Sequence, residues 1–299
     1  MHMQLYRFVA LTISALVFTL AGHSQQKDIY YQLWKITGKG LPAPSYLLGT
    51  MHTIEGAFAD SFPRIGEALR QAKVYVCEAI PEPAGTDYSD VIEFPAGDSL
   101  QNYMSRADYD TLMAFFRLHL VGEEASLLPK IARLKPQGVN ILIAELKGFA
   151  PASPGGQTGP YLDDYLRQTA GALGKPVLPL ETVHDQFSAV VAAAGMREDA
   201  SKLVSKIKGE IGATDDARQR QATLAYRSRK LPHYFNFTAK DRYALEVGIA
   251  RNKKWMEKIP GIITKDPAFI AVGHDHLISK QGLIMLLRKA GYTVTNVPL

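Results

Sequence analysis

This sequence predicts an α/β fold, a mixed β-sheet core flanked by helices with a mainly helical middle region, on three observations. Short β-rich runs such as YLLGT, VYVCE and FIAVG alternate with stretches of helical spacing at both ends of the chain. The region from about 98 to 260 is dominated instead by helical periodicity. Two of the β-rich runs, more than two hundred residues apart, share one design: YLLGTMH (46–52) and IAVGHDH (270–276) are each an apolar run, a glycine, two residues and a histidine.

The elements follow in order. The first residues, MHMQLYRFVALTISALVFTLAGHSQQ, place Arg7 before an apolar core from Phe8 to Ala21 and then small residues. That pattern predicts a signal peptide over 1–24, with cleavage near Ser24 and export to the periplasm or medium. The apolar core is shorter than the roughly 20 residues a spanning helix needs, so no transmembrane segment is expected in the mature chain. No cysteine follows the core to carry a lipid. Residues 25–299 read as one α/β domain with the helical insertion at about 98–260.

Tyr31 to Thr37 and the run ending at Gly49 form a predicted hairpin across a Gly/Pro turn. SFPRIGEALRQA has helical spacing, and KVYVCEAI is a strand whose Val74, Val76 and Glu78 share a face. Ser105 and Asp108 make a capping signal before a stripe of Tyr109, Leu112, Met113, Phe116 and Leu120. Helices are predicted at about 137–147 and 161–173. Between them GFAPASPGGQTGP reads as a surface loop, since it lacks the Gly-Lys-Ser/Thr ending of a phosphate-binding loop. KPVLPLE reads as a buried strand ending at Glu181, and most of 183–259 as helix, with DDARQRQ a solvated face and a long helix near 238–258. A strand, a helix closed by Gly291 and a last strand, YTVTNV, complete the chain.

Composition narrows the function. With 46% hydrophobic and 21% charged residues the chain is of ordinary globular type. A net charge of +5, +4 without Arg7, and no basic run interleaved with aromatics argue against nucleic acid. The lone Cys77 cannot form an internal disulfide and is expected to be buried.

The chemistry is expected where strands end, because ligands in α/β sheets bind beyond the strands' carboxyl ends. His52, Glu78, Glu181 and His276 all stand at such ends. Gly49 and Gly273 suit a sharp turn or a close backbone approach. If the four strands are parallel neighbours, two imidazoles and two carboxylates converge. That set suits zinc, manganese, iron or cobalt, and a Glu/His pair also suits metal-free activation of water. Ordinary hydrogen-bonded strand ends are the plain alternative. Ala244, Val247, Gly248, Arg251 and Trp255 share a small-to-apolar helical face, which turns the Arg251 guanidinium inward to meet a carboxylate, Asp163 or Glu181, or an anionic group of a substrate. His274 and Asp275 read as polar turn residues, and His119, His184 and His233 as ordinary histidines.

Together LWKITGKGLPAPSYLLGTMH, VYVCE, YLDDYLRQTAGALGKPVLPLET, the ARN of 250–252 and FIAVGHDHLISKQGLIMLLRKAGYTV resemble the TraB/GumN family across nearly the whole mature chain. The resemblance implies an active-site cleft carrying both Gly-x-x-His motifs and, from the TIKI branch, divalent-metal-dependent peptide hydrolysis. Carried over by position, His52, His276 and Glu78 would hold the metal. Glu78, Glu181, Arg251 and Asn252 would serve catalysis, and Asp163, the Asp of the LD-x-YL segment, would with Arg251 contact the substrate. The second motif departs from the usual Gly-Ala-Gly-His-Leu-Pro-Gly: here it is Gly-His-Asp-His-Leu-Ile-Ser, bulkier and more polar. The alternative is a non-catalytic protein that binds a peptide, a cofactor or a polysaccharide intermediate in the same cleft.

Overall fold

Six strands form one sheet: β1 (Leu33–Thr37), β2 (Ser45–Thr50), β3 (Val74–Cys77), β4 (Val177–Pro179), β5 (Ala268–Gly273) and β6 (Thr293–Val297), in the order β4-β3-β5-β2-β1-β6. The computed structural model describes residues 32–299 except 84–85, 147–158, 210–211, 230–243 and 279. The expected signal peptide, most of the Gly/Pro loop and the start of the expected 238–258 helix lie outside the described residues. No helix among the described residues is long and apolar enough to cross a membrane.

β4, β3, β5 and β2 run parallel, while β1 pairs antiparallel with both β2 and β6. The sheet is thus mixed, the antiparallel edge being the predicted hairpin plus the last strand. The helices that matter to the site are α1 (Pro63–Gln71), α2 (Arg106–His119), α3 (Pro136–Leu146), α4 (Leu162–Ala172), α5 (Val183–Ala193), α6 (Met196–Ile207), α7 (Gly212–Arg227), α8 (Arg251–Lys265) and α9 (Leu283–Lys289).

Period-two alternation sorts the strand side chains onto two faces. On one, Leu48, Tyr75, Cys77, Phe269 and Ala271 pack against α1, α4 and Tyr226 of α7. On the other, Leu47, Val74, Val76, Ile270 and Val272 pack against Trp255, Ile259 and Ile263 of α8 and against α9. Each fully buried aliphatic side chain contributes about 1.5–3 kcal/mol relative to exposure. The middle region has its own core, built on Leu112, Met113 and Phe116 of α2 with Val139 and Ile143 of α3 and Leu203 of α6. Ser105 caps α2 by accepting from the Asp108 N–H, as its spacing predicts.

Two expectations are corrected. The KPVLPLE strand is short and half-buried, not buried. It is the sheet's edge, where prolines 176 and 179, which have no N–H to donate, are tolerated. The long helix ahead of Arg251 is not regular: Ala244–Ala250 is wound as a π-helix before α8 begins. Wider winding changes the inward face, so Val247 is only half-buried while Ile249 is buried, and Arg251 and Asn252 both enter the interior.

Candidate functional site

The parallel block brings the carboxyl ends of β2, β3, β4 and β5 to one side of the sheet. His52, Glu78, Glu181 and His276 follow those ends within three residues. Both motif glycines are explained by proximity. Gly49 lies within β2 opposite Val272, and a Cβ there would stand 2.6 Å from His274 Nδ1 and 3.0 Å from Leu277 Cδ2. A Cβ on Gly273 would stand 3.2 Å from Glu78 Oε1, which accepts the Gly273 N–H at 2.7 Å. Neither glycine has a positive φ, so the sharp-turn reason falls away and the close-approach reason remains. Gly49→Ala is expected to cost about 1–3 kcal/mol by overpacking. Chemical denaturation measures it, and pairing the change with His274→Ala should recover part of the loss.

Arg251 is the centre of the cluster. Its Nε reaches Glu181 Oε1 and Oε2 at 2.9 and 3.1 Å, its Nη2 reaches Glu78 Oε2 at 2.6 Å and also Glu181, and its Nη1 lies 3.1 Å from His276 Nε2. The guanidinium stacks over Trp255 at 4.8 Å, and the Trp255 indole N–H donates to Glu181 Oε2 at 3.0 Å. A buried guanidinium needs such partners, because an unpaired charge in the interior is costly. Of the two carboxylates suggested by the sequence it takes Glu181 and not Asp163, and Glu78 joins them.

The Glu78 carboxyl is buried, which alone would push its pKa up. The His276 ring, the Arg251 charge and the Gly273 N–H outweigh burial and bring it down to about 2. Burial pushes His276 down to about 4, so at neutral pH this ring is uncharged and Arg251 supplies the positive charge beside Glu78. Asn252 Nδ2 donates to the carbonyls of His276 and Gln281, which turns its Oδ1 to His276 Nδ1 at 2.8 Å. His276 therefore carries its proton on Nδ1 and presents a lone pair at Nε2. Arg251 and Asn252 thus spend their polar groups inside the protein, positioning the carboxylates and the imidazole.

His52 stands apart at the rim, its side chain 75% exposed. The chain after β2 meets the start of α4 through Leu162 N–H on the Ile54 carbonyl (2.8 Å) and Gly56 N–H on the Pro160 carbonyl (2.9 Å). This contact sets Asp163 beside His52, Nδ1 to Oδ2 at 3.0 Å, while the Thr50 hydroxyl donates to Asp163 Oδ1. The hydrogen bond to Asp163 pushes the His52 pKa up to about 9.

Below His52 a cavity of about 270 Å³ opens, lined by Glu78, Tyr75, Ile80, Asp163, Arg167 and Gln186 among others. Gln186, which donates to Glu78 Oε2 at 3.2 Å, and Tyr226, which donates its hydroxyl to the Gly49 carbonyl at 2.6 Å, escape a reading of the sequence. Both lie on helices whose spacing signals an amphipathic face but not what it meets. His274 is buried, its pKa pushed down by burial to about 4, and neither ring nitrogen has a partner among the described residues. Burial raises the Asp275 carboxyl to about 7. His184 hydrogen-bonds Asp90 at 2.8 Å, and Cys77 is buried as expected.

By donor chemistry the set fits a divalent metal. Each motif histidine has Nδ1 held by an oxygen acceptor, Asp163 or Asn252, so Nε2 is the atom that would coordinate, at His52 once a metal displaces the proton its raised pKa retains. As they lie, no three His, Cys, Asp or Glu among the described residues are grouped to hold an ion, and Arg251 Nη1 takes the His276 lone pair.

Fold and site together define an α/β protein whose two motif histidines and two buried carboxylates follow the carboxyl ends of parallel strands. The chain belongs to the TraB/PrgY/gumN family, whose model matches residues 32–296. It is similar to the metalloprotease TIKI2 of Danio rerio, 22% identical over 324 residues that cover 91% of this chain and 62% of the relative. The chain thus spans less than two thirds of that relative's length. No solved structure matches it.

Proposed function

We propose that this protein is an exported metal-dependent hydrolase acting on peptides, with His52, His276 and Glu78 as the residues that would hold the metal. The observation that carries the reading is the pair of Gly-x-x-His histidines on adjacent parallel strands, each with Nδ1 pinned by an oxygen acceptor, beside an ionised buried glutamate. Similarity to a relative named a metalloprotease supports it. A divalent metal supplies a bound water of lowered pKa and polarises a carbonyl.

The chain's own residues do the rest. Asp163, steadied by Thr50, orients the His52 ring. Asn252 holds His276 in the Nδ1–H tautomer. Arg251, locked by Glu181 and Trp255, keeps Glu78 ionised and aimed with help from the Gly273 N–H.

Incubating tag-free protein with a peptide library and manganese, cobalt or zinc is expected to give cleavage that a chelator abolishes. Elemental analysis should find less metal in His52→Ala and His276→Ala than in the wild type. Equal metal content in all three, or cleavage surviving exhaustive chelation, refutes the metal. Peptide retained without cleavage favours a binding protein.

A further inference from the structure

The cavity beneath His52 has donor capacity that nothing among the described residues uses. α4 presents Asp163, Asp164 and Arg167 to it, the last one turn beyond Asp163. Asp163 is taken by Thr50 and His52, and Glu78 by Gly273, Gln186 and Arg251. Arg167 is different. Among the described residues its guanidinium meets one partner, Asp164 Oδ1 through Nη2 at 2.7 Å, and its side chain is 27% exposed. A guanidinium has five N–H donors in a planar fork that matches a carboxylate, so most of this fork is unspent at the wall of the cavity.

Size and lining say what kind of carboxylate fits. Part of the lining is apolar, Tyr75, Ile80, Pro81, Val183 and Ala271, and part is carboxylate, Glu78, Asp163 and Asp164. A volume of about 270 Å³ falls just under the roughly 300–1,000 Å³ of clefts that hold drug-sized ligands, room for one end of a chain. One helical turn from Asp163, which holds His52, to Arg167 is about 6 Å. Arg167, His52 and Glu78 all line this one cavity, so a group held by Arg167 lies in the same space as the other two.

We propose that this cavity receives the carboxyl-terminal residue of a peptide, its α-carboxylate on Arg167, its apolar side chain against Ile80, Pro81 and Val183, and its last peptide bond toward His52 and Glu78. This rests on the hydrolase reading and specifies it as removal of a terminal amino acid. One water is consumed: its oxygen bonds to the carbonyl carbon as the C–N bond breaks, and its protons pass to the departing amine and the new carboxyl group.

The test compares acetyl-Ala-Ala-Leu with its carboxyl-terminal amide, with manganese, cobalt or zinc supplied, on wild type, Arg167→Lys and Arg167→Ala, each verified as folded by thermal melting. Wild type is expected to release leucine and to prefer the free acid by about 10- to 100-fold in kcat/KM, the worth of hydrogen bonds to a charged group. That preference should shrink in Arg167→Lys, which keeps the charge and loses the fork, and vanish in Arg167→Ala. Equal cleavage of acid and amide by wild type, cleavage at an internal bond only, or a preference that Arg167→Ala retains overturns the assignment and leaves the hydrolase standing. If neither peptide is cleaved, the peptide library decides the hydrolase reading and calorimetric binding decides Arg167's role separately. Tighter binding of the acid, lost in Arg167→Ala, upholds a carboxylate site; equal binding removes it.

Discussion

Arg251→Ala is expected to destabilise the protein by about 3–5 kcal/mol, the cost of breaking a buried ion pair and leaving its partners unpaired. Glu181 is 6% exposed and among the described residues keeps only the Trp255 indole N–H, while Glu78 loses its charged partner and retains the Gly273 and Gln186 donors. For a chain of this size the melting temperature should fall on the order of 10 °C. Chemical denaturation with linear extrapolation gives the number directly. The double change Arg251→Met with Glu181→Leu should recover part of the loss, because removing both members of a buried pair is often close to neutral. A single-variant loss under about 1 kcal/mol would mean that the network contributes nothing to the fold.

The second large effect is on turnover and leaves the fold intact. His52→Ala should lower peptide hydrolysis by about 10²- to 10⁴-fold, the usual worth of a positioned catalytic group, while the melting curve barely moves. The ring is three-quarters exposed and its one hydrogen bond among the described residues is to a carboxylate that Thr50 also holds. Asp163→Asn should cost less, about 10- to 100-fold in metal affinity or activity, as for partners that orient metal-ligating histidines. Turnover of His52→Ala equal to wild type would remove this residue from the reaction.

Much of the site was legible because strand ends announce themselves. An apolar run followed by Gly-x-x-His says that a strand stops and a polar residue follows, and Glu78 and Glu181 were found by the same logic. Parallel pairing of β2, β5, β3 and β4 then made neighbours of residues far apart in sequence. The Arg251 face was legible too, since helical spacing turned the guanidinium inward. Its partners were not, because periodicity reports which way a side chain points and not what it meets. The π-wound turn before Arg251 was invisible for a related reason: a single wider turn leaves no trace in a pattern of apolar residues.

Tyr226 and Gln186 mark the boundary most clearly. Each is one residue among many on a long helix, and each matters through a hydrogen bond to a segment more than one hundred positions away. Local chemistry alone set the strands, the helical faces, the export signal expected at the amino terminus and the identity of the reactive groups, because those depend on spacing of two or 3.6 residues and on side-chain type. Which groups remain available, with Arg251 consumed and Arg167 bonded among the described residues to Asp164 alone, was decided by packing, because hydrogen-bond capacity is shared out only when distant segments come within about 3 Å of one another.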